Sequence, residues 1–195
     1  MIIKCYNEHH KYLLFIDVEF NQRDLVQFAG LLFQRISWDG DYQLMKSCNI
    51  YITQKVCYPF AEYTSITNNF LAENGVTLQD ARELIFNDLL GNINLDDLQL
   101  ISHGLKNDRL ILLDNGIGLS KSDGKVVDGY CTFNAAKRIL ERQNHLKLED
   151  LATECGYYLH HAHNAFSDVW AEVAVYTYLR KMEEQKKEEA TNEIS

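Results

Sequence analysis

The sequence of 195 residues lacks the features that mark secreted, membrane-spanning and repetitive proteins. Its five cysteines are odd in number, widely spaced and form no C-x-x-C pair, which favours free thiols over a disulfide framework or a zinc site. The first residues show no apolar signal segment with a small-residue cleavage site, and no apolar run reaches transmembrane length. Together these absences predict a cytoplasmic protein without a membrane partner.

Little in the sequence divides the chain into separate units. Proline occurs only as Pro59, and there is no repeat or low-complexity linker. The length suits one domain with a sizeable core, which we place at residues 1–182. Residues 183–195 form a run of charged side chains with little to bury, and we predict a solvated tail that begins as a fraying helix end.

Positive charge is scarce. The 19 lysines and arginines are outnumbered by 28 aspartates and glutamates, so the formal net charge is −9. Phosphate binding usually leaves a basic footprint on a protein, and composition alone therefore does not point to nucleic acid. Part of the acidity belongs to the tail, but several acids lie in apolar surroundings where solubility does not explain them.

Hydrophobic patterning predicts alternating strands and helices. A near-continuous apolar run at 11–20 predicts a central strand, and 25–38 and 42–53 predict two more strands with a turn at 39–40 between them. The later elements are a helix over 75–90, a strand over 96–104, helices over 107–116, 131–143 and 148–156, and an apolar helix from about Asn164 past Tyr178. This order predicts an α/β layered domain whose sheet begins as an antiparallel meander.

Four acids in three of these segments need an explanation. Side chains alternate along a strand, so Asp17 and Glu19 share one face, roughly 7 Å apart. Asp108 follows a buried strand, and Asp168 lies in the first turns of the apolar last helix. Taken singly, a frayed strand end or a helix N-terminus accounts for each of them. If the two buried strands are neighbours, however, all four converge, and such oxygen clusters suit Mg²⁺ or Mn²⁺.

The order and spacing of these residues resemble those of the DnaQ-like, DEDDh-type 3′–5′ exonucleases. The family's D-x-E motif matches "FIDVEF", its second aspartate matches "ISHGLKNDRLILL", and its H-x4-D motif matches "HNAFSD", over roughly residues 12–180. The resemblance implies a ribonuclease H-like α/β fold, in which helices flank a central mixed β-sheet whose first three strands are antiparallel.

The resemblance also implies an activity and a set of roles. The reaction is hydrolysis of a terminal phosphodiester at the 3′ end of single-stranded DNA or RNA, with release of nucleoside 5′-monophosphates and two divalent cations, Mg²⁺ or Mn²⁺, as cofactors. Asp17 bridges the cations, Glu19 and Asp168 hold the cation that carries the attacking water, and Asp108 helps to place the other. His163 is the general base that deprotonates this water. Whether a polymerase or another protein binds this chain is left open.

The predicted contacts to the nucleic acid are Val18, Phe20 and His103. The ring of Phe20 is a stacking surface for the terminal base, and its alternative is an ordinary core position. Lys106 and Arg109 flank the second motif, and each is either a phosphate contact or a solvated helix end.

Two other functions compete with the exonuclease. One is a zinc-dependent phosphohydrolase that uses His160, His161 and His163, because clustered imidazoles favour zinc. The other is a non-catalytic module on the same fold that binds nucleic acid or protein. Such a module is expected to have lost a motif carboxylate, and this sequence has lost none.

Overall fold

The computed structural model of the protein describes residues 1–159 and 162–192, and of Asn192 it describes only the backbone. Its centre is a six-stranded mixed sheet in the order β1-β4-β3-β2-β5-β6. The strands are β1 (Ile2–Lys4), β2 (Tyr12–Asn21), β3 (Asp24–Arg35), β4 (Asp41–Tyr51), β5 (Leu98–Ser102) and β6 (Asp128–Cys131). The pairs β1–β4, β4–β3 and β3–β2 are antiparallel, whereas β2–β5 and β5–β6 are parallel.

Helices cover both faces of the sheet. They are α1 (Tyr58–Thr64), α2 (Asn68–Asn74), α3 (Leu78–Glu83), α4 (Leu105–Asp114), α5 (Thr132–Ile139), α6 (Leu148–Glu154) and α7 (Ala165–Asn192). A π-helical stretch, Leu84–Leu90, continues α3, and a short 3-10 turn, Leu95–Asp97, leads into β5. The predicted mixed sheet with three antiparallel strands and flanking helices is confirmed, with the short strands β1 and β6 added at its edges.

The predicted helix over 75–90 is two pieces. The Thr77 side chain accepts a hydrogen bond from the Asp80 N–H, as expected of an N-cap, and α3 follows it. The π-helical stretch then runs to Gly91, whose φ of 57° allows the chain to leave the helix. The segment before Thr77, predicted without separate helices, holds the seven-residue α1 and α2.

The two faces of β2 pack against different layers. Leu14, Ile16 and Val18 join a cluster that includes residues of α3 and α4. Leu13 and Phe15 join a cluster with α7. Because side chains alternate, the α7 face of β2 continues from Phe15 into Asp17 and Glu19. The strand therefore carries its two acids toward the last helix.

Helix α7 is apolar nearly all round because it is packed between two layers. Val169 and Val173 face the sheet, whereas Ala171 and Val175 pack with residues of α5 and α6. The helix extends to Asn192, so the predicted tail begins as a continuation of α7. Among residues 1–159 and 162–192, no helix combines the length and apolar character needed to cross a membrane.

Candidate active site

Three of the four predicted metal ligands meet in one cluster. One carboxylate oxygen from each of Asp17, Glu19 and Asp168 lies within 4.8 Å of the other two. Strand β2 supplies the first two from one face, and α7 brings Asp168 opposite them because its first turns pack against that face. Oxygen-only donors at this spacing fit Mg²⁺ or Mn²⁺, which are hard cations that prefer carboxylates.

Asp108 lies beside this cluster, in the first turn of α4. Parallel pairing of β5 with β2 sets Ile101 opposite Phe15, so the end of β5 comes close to Asp17. The Ser102 hydroxyl donates a hydrogen bond to Asp108 Oδ2, and the Asp108 side chain is buried. The negative charge of Asp108 adds to burial in raising the pKa of Asp17, so the two carboxylates act on each other.

The electrostatics of the cluster are those of crowded like charges. Burial, reinforced by neighbouring acids, raises the pKa of Glu19 to about 7 and that of Asp17 well above its ordinary range. Burial also raises the pKa of Asp168 to about 7 and that of Asp108 to about 6. Each shift disfavours the ionised form in the metal-free protein. A divalent cation among these oxygens would reverse that preference.

The stability of the metal-free protein should therefore fall as the pH rises. The pKa of Glu19 moves from 4.5 to about 7, and that of Asp168 from 3.8 to about 7. The folded protein keeps these protons at pH values where the unfolded chain has lost them, so the free energy of unfolding decreases between about pH 4 and about pH 7. Thermal melts in chelator across this range test the trend. Saturating Mn²⁺ should remove it, and a melting temperature that rises with pH in chelator would contradict it.

His163 lies two residues before α7, on the loop where the sequence predicted it. Its backbone has a φ of 65°, and its N–H donates a hydrogen bond of 3.0 Å to Asp168 Oδ2. Burial lowers the pKa of the His163 imidazole below its ordinary value. The loop thus orients the Asp168 carboxylate through the backbone and leaves the His163 ring free for other contacts.

That ring contacts Tyr63, a residue that the sequence analysis missed. The two ring centroids are 3.7 Å apart, and the planes are tilted by 32°. The charges of Glu19 and Asp168 add to burial in raising the pKa of Tyr63, which places α1 beside the cluster. Tyr63 lies in a helix of only seven residues, which is too short to give a periodic signal from which this contact could be predicted.

Gln27 is a second missed residue, and it holds the start of α7 to the sheet. It is fully buried on β3, and its Oε1 accepts a 3.2 Å hydrogen bond from the Ala165 N–H. Its Nε2 donates at 2.8 Å to Asn49 Oδ1 on β4. The Asn164 side chain caps the same helix by accepting from the Phe166 N–H at 3.2 Å. These bonds fix the loop that carries His163.

Glu172 is the third missed residue. It lies one turn after Asp168, on the same side of α7, and it is fully buried. Its Oε1 accepts a 2.6 Å hydrogen bond from the His103 N–H at the end of β5. A signal for it existed, because Glu172 is the one acid in the apolar run "VWAEVAVY" and is spaced for the Asp168 face.

Two of the predicted nucleic-acid contacts need correction. The Val18 side chain is buried in the core on the opposite face of β2, so it does not face the carboxylates. Both ring nitrogens of His103 are occupied, Nδ1 by Thr132 Oγ1 and Nε2 by the Leu146 carbonyl, each at 2.8 Å. Burial lowers the pKa of His103 to about 4, so its ring serves the architecture. Phe20 is 37% exposed at the end of β2, where a base could reach it.

The remaining basic candidates are placed as follows. Arg109 donates a 2.5 Å hydrogen bond to the Val127 carbonyl, which ties α4 to the segment before β6. Lys106 is exposed. Two of the three histidines of the zinc alternative, His160 and His161, lie outside the described residues.

No protein-family model matches this sequence, and no curated protein matches it either. Solved structures do match. The nuclease domain of 3′hExo, a DEDDh family member bound to rAMP, superposes with a TM-score of 0.66 at 11% identity, covering 89% of this chain and 94% of that one. A full-length 3′-exonuclease gives 0.69 at 12% identity, covering 90% of this chain and 62% of that one.

A third match is E. coli exonuclease I in a zinc-bound complex with single-stranded DNA. Its TM-score is 0.67 at 15% identity, and the match covers 89% of this chain and 41% of that one. This chain therefore spans less than two thirds of both the exonuclease I chain and the full-length 3′-exonuclease. The protein has the ribonuclease H-like fold of DEDDh-type 3′-exonucleases, as predicted.

Proposed function

We propose that this protein is a metal-dependent 3′–5′ exonuclease that hydrolyses terminal phosphodiesters of DNA or RNA and releases nucleoside 5′-monophosphates. The observation that carries the proposal is the convergence of Asp17, Glu19 and Asp168 within 4.8 Å on this fold, with Asp108 beside them. Chains of the same fold are described in complex with rAMP and with single-stranded DNA. Their ligands support a nucleic acid as the substrate and leave DNA and RNA equally open.

The chain's own residues divide the work as follows. Asp17, Glu19 and Asp168 would hold the divalent cations, with Asp108 placing the second one. When bound, the cations supply positive charge at the scissile phosphate and make the attacking water more acidic. Their charge also explains how an acidic protein with a net charge of −9 can receive a nucleic acid end.

His163 accepts the proton of the attacking water in this proposal. Burial holds its pKa below the ordinary value, so the imidazole is neutral near physiological pH and able to take up a proton. Its backbone N–H donates a hydrogen bond to Asp168, so the loop that carries the base is tied to that carboxylate. This coupling gives a physical reason for the H-x4-D spacing across the start of a helix.

The test uses matched DNA and RNA oligonucleotides labelled at the 5′ end, with Mg²⁺, Mn²⁺ or chelator. We expect a ladder that shortens from the 3′ end with either metal and no products in chelator. Activity that appears only when Zn²⁺ replaces these two metals would favour the zinc-dependent phosphohydrolase instead. Cleavage confined to circular substrates, or early release of the 5′ label as a mononucleotide, would contradict the proposal. Full activity in the Asp17→Asn protein would also contradict the proposal.

Tyr63 gives a second prediction, because its ring contacts the ring of the proposed base. Tyr63→Ala should lower kcat by about 2- to 10-fold, the equivalent of one lost aromatic contact. Tyr63→Phe keeps the ring and should stay close to wild type. Both variants should keep the wild-type response of the melting temperature to Mn²⁺.

The control for Tyr63 is a double substitution. If Tyr63 acts through the imidazole, Tyr63→Ala should have no further effect on kcat in the His163→Asn protein. An equal decrease in both backgrounds would mean that Tyr63 contacts the nucleic acid directly.

A further inference from the structure

Glu172 is buried at a position where the fold gives a carboxylate little support. It lies on α7 one helical turn after Asp168, so both side chains project from the same side of the helix. Its neighbours along that side, Val169 and Val173 among them, are apolar and buried. A leucine or methionine would suit the packing of such a helix, and the presence of a glutamate calls for a reason.

Only one of its two oxygens has a partner. Oε1 accepts the 2.6 Å hydrogen bond from the His103 N–H, whereas Oε2 is buried with no hydrogen-bond partner among residues 1–159 and 162–192. An unpaired oxygen on a buried carboxylate destabilises the folded state because hydration is lost without replacement. A ligand that binds the free oxygen would offset this cost.

The same chain shows what a fully supported buried glutamate looks like. Glu8 is 3% exposed, and its Oε1 accepts from the N–H groups of His9 and His10. Its Oε2 accepts from the Tyr176 hydroxyl, and Arg180 lies 3.7 Å away. Against the effect of burial, hydrogen bonds with the His10 ring, at 2.6 Å, with Tyr176 and with the His10 N–H, together with the charge of Arg180, lower the pKa of Glu8 to about 2. Glu172 has no comparable set within the described part of the chain.

The charges that act most strongly on Glu172 are negative. Burial raises its pKa well above the ordinary value, and the charges of Asp17 and Asp108 raise it further. Glu172 therefore lies within electrostatic reach of Asp17, Asp108 and Asp168. A cation near Asp17 and Asp108 would compensate all three carboxylates.

We infer that Glu172 is a fifth carboxylate of the divalent-metal centre, a positioning residue that fixes the His103 backbone with one oxygen and turns negative charge toward the cation with the other. This inference rests on the proposed metal-dependent function. Partners of metal ligands typically contribute about 10- to 100-fold to metal affinity. We expect Glu172 to contribute on that scale, chiefly through its charge.

Glu172→Gln separates the two roles, because glutamine keeps an acceptor for the His103 N–H and removes the charge. In chelator the melting temperature of the variant should be no lower than that of the wild type, because the substitution removes a carboxylate that the neighbouring acids repel. The Mn²⁺ concentration for half-maximal binding, measured by calorimetry and by the shift in melting temperature, should rise by about 10- to 100-fold. The matched control is Glu8→Gln, which should melt lower than wild type in chelator and keep wild-type Mn²⁺ affinity.

The outcomes distinguish the inference from the function beneath it. If the wild type itself binds no Mn²⁺ and no Mg²⁺, the proposed function fails. If the wild type binds Mn²⁺ and Glu172→Gln binds it equally well, Glu172 is only an anchor for the end of β5 and the inference is overturned. A Glu172→Gln protein that unfolds or melts well below wild type in chelator overturns it too. That result would mean that the carboxylate stabilises the folded protein even without metal.

Discussion

Asp17→Asn should abolish most of the nuclease activity while the metal-free protein stays at least as stable as the wild type. Asp17 is the carboxylate on which the others converge, because Asp108, Asp168 and Glu19 all raise its pKa beyond the effect of burial. Asparagine has the same shape and no charge, so it relieves this repulsion in the empty centre. It also removes a carboxylate that would hold the cations, so the loss of activity should exceed the roughly 100-fold cost of losing a partner of a ligand.

Thermal melts with and without Mn²⁺, together with the 3′-end ladder assay, check this result. The stabilisation by Mn²⁺ should shrink or vanish in Asp17→Asn, because metal binding is coupled to folding. Asp24→Asn is the matched control, since Asp24 is an exposed carboxylate on the neighbouring strand β3. It should keep wild-type activity and Mn²⁺ response. A large fall in the melting temperature of Asp17→Asn in chelator would make Asp17 a structural residue.

Removing the imidazole of His163 should lower the rate by about 10²- to 10⁴-fold, the usual contribution of a positioned base. Metal binding should survive, because the hydrogen bond to Asp168 comes from the His163 backbone N–H and not from the ring. Alanine is strained at a φ of 65°, so His163→Asn is the better variant, since asparagine tolerates left-handed backbone and is no base at neutral pH.

Two measurements check the assignment of the base. The wild-type rate should rise with pH through the imidazole pKa, and this limb should flatten in His163→Asn. His145→Asn is the matched control, because His145 has a similar φ of 55° and its side chain is 82% exposed. His160→Ala and His161→Ala should also stay close to wild type. Full activity in His163→Asn, or an inactive His161→Ala, would contradict the assignment.

The sequence predicted the parts of the fold whose side-chain pattern is long and unambiguous. Strand β2 and helix α7 are both apolar over many residues because each is covered on two sides, and their bounds were close to those predicted. The sequence did not predict the short strands β1 and β6 or the seven-residue helices α1 and α2, because so few residues show no reliable hydrophobic period.

The site was predictable to the extent that its residues stand out from their neighbours. Asp17, Glu19 and Asp168 are charges in apolar segments, and the motif spacing supplied the idea that they meet. Tyr63 and Gln27 could not be found in this way, because their roles arise from contacts across the fold. The ring of His103 was misassigned since nothing in the sequence indicates that Thr132 and the Leu146 carbonyl occupy it.

The bond from Gln27 to the start of α7 joins residues that are 138 positions apart. Asp17 and Glu19 belong to the first long strand, whereas His163, Asp168 and Glu172 belong to the last segment of the fold. A chain emerging from the ribosome thus exposes half of the centre long before the other half exists. The proposed metal centre can therefore form only after the last segment of the fold has been synthesised.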